Sequence, residues 1–513
     1  MGNGSLLRHG LSIACATAFL LTSPLAHAAL TISKKPTENV TCTATVCSAT
    51  AAKAVLNAKD LTRLLKKNDV TVVPGSIAKT IVVGTPLHWT SAHKLTLDAF
   101  TSISINRPIT VEGSGSLTLT TSDGGSGGDY GFGAAGNVEF WDTSDGLTIN
   151  GVAFTLAADL PTLIADIAGH GSGAFALAKS YDASVDGTYA HSPITTPFAG
   201  TLEGLGNAIA NLSINDATAS DAAALFKSTS SPSVLRHLSL TNVSVTGAAN
   251  TEGALVGVAN GTIDGITISG QVQSTTATGD IGGLAGVIEG TLANSSSSAT
   301  VQGGDGTGNL FVGGLVGEMF GSHANLMLSD TSGTVVVGDG GYAGGLVGGT
   351  QTGDTIQQCY STSGVTGETG TSVGALVAFN GGSIAESFAT GGAAGGQSAN
   401  AGGLVGRNVG TISQAYSTGP VSAGSGGSFI GGLIGADQAA SGSITSTYWD
   451  TETSGISDPG KGAGNRKNDP GITGLTSAQF QAGLPTGFDS AVWAESAKIN
   501  NGFPYLRALR GPG

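Results

Sequence analysis

The sequence predicts an all-β protein built as a parallel β-helix, a solenoid in which each turn stacks on the one before it. Three observations favour this fold class. Glycine accounts for 84 of the 513 residues, whereas Asp, Glu, Lys and Arg together make up only 11%, against roughly 25% in ordinary domains. A motif, Gly-Gly-Leu-Val-Gly, recurs at a nearly constant interval. Short segments between its copies alternate apolar and polar residues, as half-buried strands do.

The glycine content does not fit disorder, collagen, helical repeats or a propeller. Disorder requires low hydrophobicity and high charge density, but 40% of the residues are hydrophobic. No collagen-like Gly-X-Y period runs through the chain. Glycine interrupts every unit too often for helical repeats, and about 30 residues per unit are too few for the four strands of a propeller blade.

The first element is a predicted secretory signal peptide at 1–28. Arg8 supplies its positive region, residues 11–22 are apolar, and cleavage is expected between Ala28 and Ala29. The apolar stretch is too short to span a bilayer, which takes about 20 residues, and no second hydrophobic segment follows. We therefore expect an exported protein, extracellular or on the cell surface, with no membrane-spanning segment after signal removal.

The charge balance limits the expected partners. The formal net charge is −14, and binding to nucleic acid or to anionic lipid needs clustered Lys and Arg, so neither is expected. No cofactor or metal is predicted, because no Cys/His spacing matches a zinc site and no carboxylate cluster has the spacing of calcium ligands.

An N-terminal cap is predicted at 29–69. In an exported protein, the closely spaced Cys42 and Cys47 favour a disulfide. Asp60 is a candidate N-cap for a short helix through Leu61, Leu64 and Leu65. Together these elements would cover the open edge of the stack.

Two regions lie between this cap and the regular repeat. Residues 70–196 are predicted as irregular β-helix coils, because segments such as 79–83 and 102–105 alternate apolar and polar residues. A second short helix is expected at 159–168. Residues 197–250 are predicted to form the first regular coils.

Residues 251–450 are predicted to form seven coils. The motif and its variants occur seven times, 28 to 31 residues apart, and 49 of the 84 glycines lie in this region. The central leucines would stack along the axis as a structural repeat core: Leu255, Leu284, Leu315, Leu346, Leu376, Leu404 and Leu433. Equivalent strands of neighbouring coils lie about 4.8 Å apart.

The pattern also predicts details within each coil. Each unit is expected to have three short strands, and the motif glycines are expected both to adopt positive φ at the corners and to let adjacent coils approach closely. In 411–417, Ile412 and Tyr416 would lie on one face of a strand. Cys359 is interpreted as a small buried residue rather than a reactive thiol.

Beyond 450 the motif stops and the sequence turns polar and basic, before Trp493, Phe503 and Tyr505 restore apolar character. We therefore expect 451–513 to be a C-terminal cap.

These motifs are similar to a known family. The Gly-Gly-Leu-Val-Gly repeat resembles the GLUG motif of large bacterial surface proteins. Four flanking stretches resemble adhesins of the filamentous-haemagglutinin type, namely 85–97, 175–184, 198–207 and 448–451. The resemblance implies a right-handed β-helix, a surface or extracellular location and a role in attachment, and it supplies no catalytic residues.

The resemblance therefore implies a non-catalytic adhesin, not an enzyme, that attaches to cells, matrix or glycans through an unidentified surface ligand. An outer-membrane export partner is a further expectation, although the Asn-Pro-Asn-Gly signature of two-partner export is not found. The alternative is a carbohydrate-active β-helix enzyme, a polysaccharide lyase or hydrolase. Such an enzyme needs paired carboxylates, or an acidic metal cluster with a basic residue, and the regular repeat has only one basic residue, Arg407.

Few residues outside the repeat are candidates for chemistry. Asp142 and Asp145 beside Trp141 could form a sugar site, but a turn with an exposed aromatic side chain is the favoured interpretation. The histidines after the signal peptide are expected to be surface or turn residues: His88, His93, His170, His191, His237 and His323.

Overall fold

Strands make up nearly all of the regular structure, and they wind into a right-handed parallel β-helix of about 14 turns. The protein's structure is a computed structural model that describes residues 28–121, 128–218, 221–306, 308–321, 323–426 and 428–509. The predicted fold class is confirmed. The helices are few and short: α1 (Ala58–Leu65), α2 (Gly75–Ala78), α3 (Leu160–Gly169), α4 (Ser477–Phe480) and the 3-10 turns Ala183–Asp186 and Asn500–Gly502. No helix within the described ranges is long and apolar enough to cross a membrane.

The predicted signal peptide lies almost wholly outside the described residues. Of the predicted cleavage site, Ala28 is the first described residue and Ala29 begins the first strand. The signal peptide and its cleavage stay predictions.

The N-terminal stack has three strands per turn, which form three sheets around one core. The first sheet contains, in spatial order, Lys53–Asn57, Ala29–Ser33, Thr80–Val83, Ser102–Ile105 and Tyr130–Phe132. The second contains Leu87–Trp89, Ile109–Val111 and Val138–Phe140. The third contains Val40–Cys42, Val46–Ala49, Val70–Val73, Lys94–Asp98, Ser116–Thr120, Gly146–Ile149 and Val152–Ala157. Alternate residues of these strands are buried, as Leu95 and Leu97 are.

The free edge of this stack is covered by an antiparallel hairpin. Val40–Cys42 pairs with Val46–Ala49, and a disulfide joins Cys42 to Cys47. Glu38, just before the hairpin, exchanges backbone hydrogen bonds with Val55 on the outermost strand of the first sheet. Such pairing satisfies the N–H and C=O groups that an open edge would expose.

Helix α1 begins three residues earlier than the sequence indicates. Its N-cap is Asn57, whose side-chain oxygen accepts a hydrogen bond from the Lys59 amide at 2.9 Å. Asp60 instead lies in the first turn, where its carboxylate pairs with Arg63. Asn and Asp are both strong N-cap residues, so composition alone does not distinguish them.

One antiparallel pairing separates the N-terminal stack from the long stack. The chain reverses at Asn150 and Gly151, which both have positive φ. Val152–Ala157 therefore runs antiparallel to Gly146–Ile149, and it then pairs in parallel with Ala174–Leu177. Helix α3 follows, and its buried residues belong to the core of the long stack. The two stacks thus have separate cores.

The long stack has five strands per turn in its regular part. Sheet 1 contains the strands that lead into the corner leucines, namely Ala222–Ala223, Thr251–Glu252, Gly279–Gly282, Leu310–Gly313, Tyr342–Gly344, Ser372–Gly374, Asn400–Gly402 and Phe429–Gly431. Sheet 2 contains the strands that follow those leucines, namely Phe226–Ser228, Val256–Ala259, Ala285–Ile288, Val316–Met319, Val347–Thr350, Val377–Asn380, Val405–Asn408 and Ile434–Asp437.

Sheet 3 contains the other strands of each turn, in adjacent rows. Its first row is Ala174–Leu177, Thr201–Glu203, Ser233–Arg236, Gly261–Asp264, Thr291–Ala293, Asn325–Met327, Thr355–Gln357, Ser383–Ala385, Thr411–Ser417, Ile444–Asp450 and Ile472–Leu475. The other rows are Tyr181–Asp182, Thr188–Tyr189, Ala208–Ala210, Ser213–Asp216, Ser239–Gly247, Thr267–Ser274, Ser296–Ser297, Thr300–Gln302, Asp330–Thr331, Thr334–Val337, Tyr360–Ser361, Gly364–Gly367, Phe388–Ala389, Ala393–Gly395 and Val421–Ala423.

The seven motif leucines form one continuous backbone ladder. Each leucine amide donates to the carbonyl of the leucine in the next coil, at 2.8 to 3.0 Å, from Leu255 to Leu433. All seven side chains are fully buried. The ladder extends beyond the seven copies, because Phe226 donates to Leu255 and Leu433 donates to Gly462. The sequence pattern misses these outer rungs because alanines precede Leu225 and Lys227 replaces the last motif glycine, and because the leucine is lost near Gly462.

The motif glycines serve close approach and do not have positive φ, so half of their predicted role is wrong. A Cβ atom on Gly348 would lie 2.7 Å from the Val312 amide nitrogen, and one on Gly406 would lie 2.8 Å from the Val373 nitrogen. Sheets 1 and 2 therefore touch backbone to backbone across the corner. In one coil this position is occupied by Ala378, which is fully buried.

Positive φ occurs instead at non-glycine residues of sheet 3, such as Glu386 and Gln414. Such a residue splits the predicted second strand, and the Gly-Gly-Leu corner splits the motif, which explains five strands per unit where three were predicted. The positive φ of Gln414 also places Tyr416 on a different face of the strand from Ile412. Ile412 is in the main core, whereas Tyr416 is in a separate aromatic cluster.

The C-terminal segment lies along the side of the stack. Stacked rings on successive coils, at Tyr360, Phe388 and Tyr416, have centroids 5.0 Å apart. The segment 476–509 covers them with apolar side chains that include Phe480, Phe488, Trp493 and Phe503. Trp493–Ala494 and Tyr505–Leu506 pair as a small antiparallel sheet within it.

Candidate functional site

A groove with a volume of about 750 Å³ lies where the two stacks meet. One wall is the segment 128–136, which contains the last strand of the first N-terminal sheet. The opposite wall is the outer face of three successive sheet 3 strands, Ser233–Arg236, Gly261–Asp264 and Thr291–Ala293. We call this cavity the junction groove. Its volume is typical of small-molecule sites.

Strand register places three charged side chains in one column beside the groove. Glu203, Arg236 and Asp264 are paired residues on successive coils, so their Cα atoms are about 4.8 Å apart. The charges alternate along the column, which makes neighbouring residues attractive rather than repulsive.

Glu203 is the buried centre of this site. Its side chain has no exposed surface, and it accepts hydrogen bonds from the Tyr130 hydroxyl and from the Leu205 amide at 2.9 Å. Burial favours the neutral acid, but the adjacent His237 and Arg236, together with these hydrogen bonds, hold the pKa of Glu203 below its usual range. The carboxylate is therefore ionised and fully occupied by protein partners.

Arg236 joins the two walls. Its guanidinium lies 2.8 Å from the Asp129 carboxylate and 3.6 Å from that of Asp264. It also stacks over the Tyr130 ring, 4.8 Å from the centroid. Although burial alone lowers its pKa, the surrounding acidic groups raise it above its ordinary value.

His237 packs between the rings of Tyr130 and Phe132, with centroids 5.2 and 5.1 Å away. Its Nδ1 lies 3.1 Å from a Glu203 carboxylate oxygen. Because an ionised carboxylate only accepts hydrogen bonds, Nδ1 carries a proton, and whenever the ring is neutral Nε2 is the acceptor. His237 has φ of 53°, the same left-handed turn that recurs along sheet 3.

The groups that remain available to a ligand are mainly uncharged. Tyr130 and Glu203 bond to each other and are buried. The groove wall carries hydroxyls, an amide and a partly buried aromatic ring, from Ser239, Thr262, Thr267, Thr291, Asn294 and Phe132. Such a set suits hydrogen bonding to a polar ligand.

The structure also brings the sequence candidates Asp142 and Asp145 together, in a turn. Asp142 accepts hydrogen bonds from the Ser144 amide and hydroxyl at 2.9 and 2.8 Å, and Trp141 is 64% exposed. Asp145 is buried, and its carboxylate oxygens have no hydrogen-bond partner among the described residues. Burial, and secondly the charge of Asp142, raise the pKa of Asp145 to about 6.

The remaining predicted site residues have structural positions. The seven leucines line the core, and the Cys42–Cys47 disulfide lies at the N-terminal end, distant in sequence from the groove. Cys359 is fully buried, which raises its pKa to about 12, and its thiol lies 3.3 Å from the Gln357 carbonyl oxygen. Among the described residues, no group of three or more His, Cys, Asp and Glu side chains could hold a metal ion.

Sequence reasoning missed the junction groove. Tyr130, Glu203 and Arg236 are separated by more than 30 residues, and none belongs to a periodic pattern. Of the expected surface or turn position, His237 has the turn, but its side chain is only 12% exposed. The one signal in the sequence was the Arg236-His237 pair, a basic cluster in an acidic chain.

No family model and no curated protein matches the chain. A crystal structure from Bacteroides ovatus, named as a "putative immunoglobulin A1 protease", is similar to it with a TM-score of 0.37 and 16% identity, over 70% of this chain and 92% of that one.

Proposed function

We propose that the chain is a non-catalytic adhesin, secreted or exposed on the cell surface, that attaches to cells, matrix or glycans. The observation that supports this most is the state of the ionisable groups at the junction groove. Glu203, Arg236, Asp129 and Asp264 form one network of ion pairs. A general acid or base must be free to exchange a proton with a substrate, and these side chains are bound to one another.

The stacked coils also suit attachment. Regular backbone ladders and in-register side chains make a solenoid stiff in one dimension, and such proteins bind through extended surfaces. The predicted signal peptide would deliver the chain out of the cell, and an outer-membrane export partner would complete its route to the surface.

The alternative is a carbohydrate-active enzyme acting in the same groove. It is favoured by His237, because Glu203 orients its ring and leaves Nε2 as a basic nitrogen next to the groove. This is the arrangement in which a carboxylate positions a histidine as a general base.

Two measurements on the producing cell and the purified chain separate these functions. A deletion strain and a complemented strain with a C-terminal tag are compared for attachment to host cells, matrix proteins and immobilised glycans, and the tag locates the protein in cell fractions. We expect attachment to fall in the deletion strain. In parallel, polysaccharides are incubated with the purified protein and with the variant His237→Gln. Product release that the substitution abolishes would establish the enzyme and contradict the adhesin.

A further inference from the structure

We propose that the junction groove binds an uncharged oligosaccharide, and that this is the contact through which the adhesin attaches. The inference rests on the proposed function and deepens it by naming the ligand class and the site. It follows from the chemistry of the walls, their net charge and the way the groove is closed on one side.

The wall chemistry matches sugar hydroxyls. Thr262 and Thr267 are exposed on the strand wall, and Asn294 presents an amide whose nitrogen donates to Asp264 at 2.7 Å. Hydroxyls and amides both donate and accept, as sugar hydroxyls do. Phe132, half-buried on the opposite wall, offers an apolar surface for the face of a sugar ring.

The net charge of the groove disfavours acidic sugars. Asp129, Glu203 and Asp264 surround the cation Arg236, so the site is negative when His237 is neutral. The guanidinium is already paired with protein carboxylates, and the chain as a whole carries −14. A uronate or sulfate group would therefore meet repulsion, and it would have to compete with these carboxylates for the guanidinium.

The groove combines this chemistry with an opposing wall. Thr262 belongs to a column of short polar residues that continues through Thr291, Asn325, Thr355, Ser383 and Thr411 on successive coils. The later members lie beyond the 128–136 wall, so they present similar side chains on an open face. Thr411 is therefore a matched control for Thr262, at the same strand position and also exposed.

The test uses the purified full chain and calorimetric titration with two sets of oligosaccharides of equal length. One set is built from neutral hexoses and N-acetylhexosamines, the other from uronic or sulfated sugars. We expect at least one neutral oligosaccharide to bind, and the acidic set to bind at least tenfold more weakly. Thr262→Arg should weaken neutral binding at least tenfold by filling the groove, whereas Thr411→Arg should leave it within twofold. Thr267→Arg, also in the groove, provides a second variant should Thr262→Arg not fold.

Three results would overturn the proposal: no neutral oligosaccharide bound, acidic sugars bound equally well, or equal binding by the groove variants and Thr411→Arg. An attachment assay with the same variants separates it from the proposed function. Attachment unchanged by Thr262→Arg would overturn the groove as the site of attachment and leave the adhesin standing. Sugar binding by a chain that confers no attachment would overturn the adhesin and leave the groove as a sugar site.

Discussion

Carboxylates withdrawn from solvent have pKa values shifted in opposite directions at the junction and in the long stack. At the junction, Glu203 has Arg236 and His237 as neighbours, and its pKa lies below the usual range. In the stack, burial raises the pKa of Glu252 to about 7, and burial together with the charge of Glu318 raises that of Asp280 to about 8. The difference arises because the coil after Glu203 supplies Arg236 and His237 as neighbours, whereas residues 251–450 contain a single Lys or Arg. Tyr130, from the N-terminal stack, adds a hydrogen bond to the Glu203 carboxylate.

A ladder of neutral side chains shows the same contrast within the stack. Thr350, Asn380 and Asn408 are buried and joined by hydrogen bonds of 2.8 to 3.1 Å. The ladder ends at Asp437, which accepts from Asn408 and pairs with Arg466 at 2.8 Å. The ladder thus turns ionic in the last coils, where the C-terminal segment supplies a cation.

The largest expected effect is Leu346→Asp in the stack. This places an unpaired carboxylate in a fully buried position between Leu315 and Leu376. We expect the free energy of unfolding to fall by about 5 kcal/mol or more, measured by denaturant unfolding. Thr355→Asp, on the exposed face of the sheet 3 strand Thr355–Gln357, should change it by less than about 1 kcal/mol. An unchanged unfolding transition in Leu346→Asp would show that Leu346 does not lie in the core.

At the junction, we expect Glu203→Gln to lower the free energy of unfolding by about 4 kcal/mol. The amide keeps the shape of the fully buried carboxylate but removes the innermost counter-charge of Arg236, whose side chain is 18% exposed, and breaking a buried ion pair costs about 3 to 5 kcal/mol. Asp129→Asn removes a carboxylate that is 39% exposed, and it should cost less than about 1 kcal/mol. Similar unfolding transitions for the two variants would show that burial does not strengthen this network.

Glu252→Gln should stabilise the protein at neutral and higher pH, whereas Glu203→Gln should destabilise it. The folded pKa of about 7 lies above the ordinary value of 4.5 for a glutamate, so the folded state binds the proton more tightly, and wild-type stability falls as pH rises from about 4.5 to 7. The variant has no proton to lose. We expect equal stability near pH 4 and a variant more stable by on the order of 3 kcal/mol at pH 8. Thermal melts across this range would contradict the prediction if the difference did not grow with pH.

The smallest effect is expected for Cys359→Ser. Cys359 and Ser387 occupy equivalent places on adjacent coils, and each side chain lies within hydrogen-bonding distance of the carbonyl oxygen two residues before it. Serine already fits this position in the fold, so the free energy of unfolding should change by less than about 1 kcal/mol. Cys359→Leu is the contrasting variant, since overpacking costs about 1 to 3 kcal/mol. A large loss in Cys359→Ser would show that the thiol has a role serine cannot replace.

Much of the stack could be read from periodicity, but its details could not. The spacing of Leu255 to Leu433 is the spacing of the rungs, because every coil must return to the same corner. The split of the second strand was not readable, since left-handed residues such as Glu386 and Gln414 are not glycines and carry no distinct composition. Ile412 and Tyr416 consequently have different surroundings from those that strict alternation predicts.

By itself, the sequence determined the fold class and the period of the solenoid, because each coil buries the same apolar positions and needs the same glycines at its corner. Only the tertiary structure decided where the candidate site lies. Tyr130 comes from one stack and Arg236 from another, and they meet because one antiparallel turn at Asn150 and Gly151 ends the first stack. Residues that are distant in sequence and do not repeat form no periodic pattern, so the sequence does not predict their contact and only the folded structure shows it.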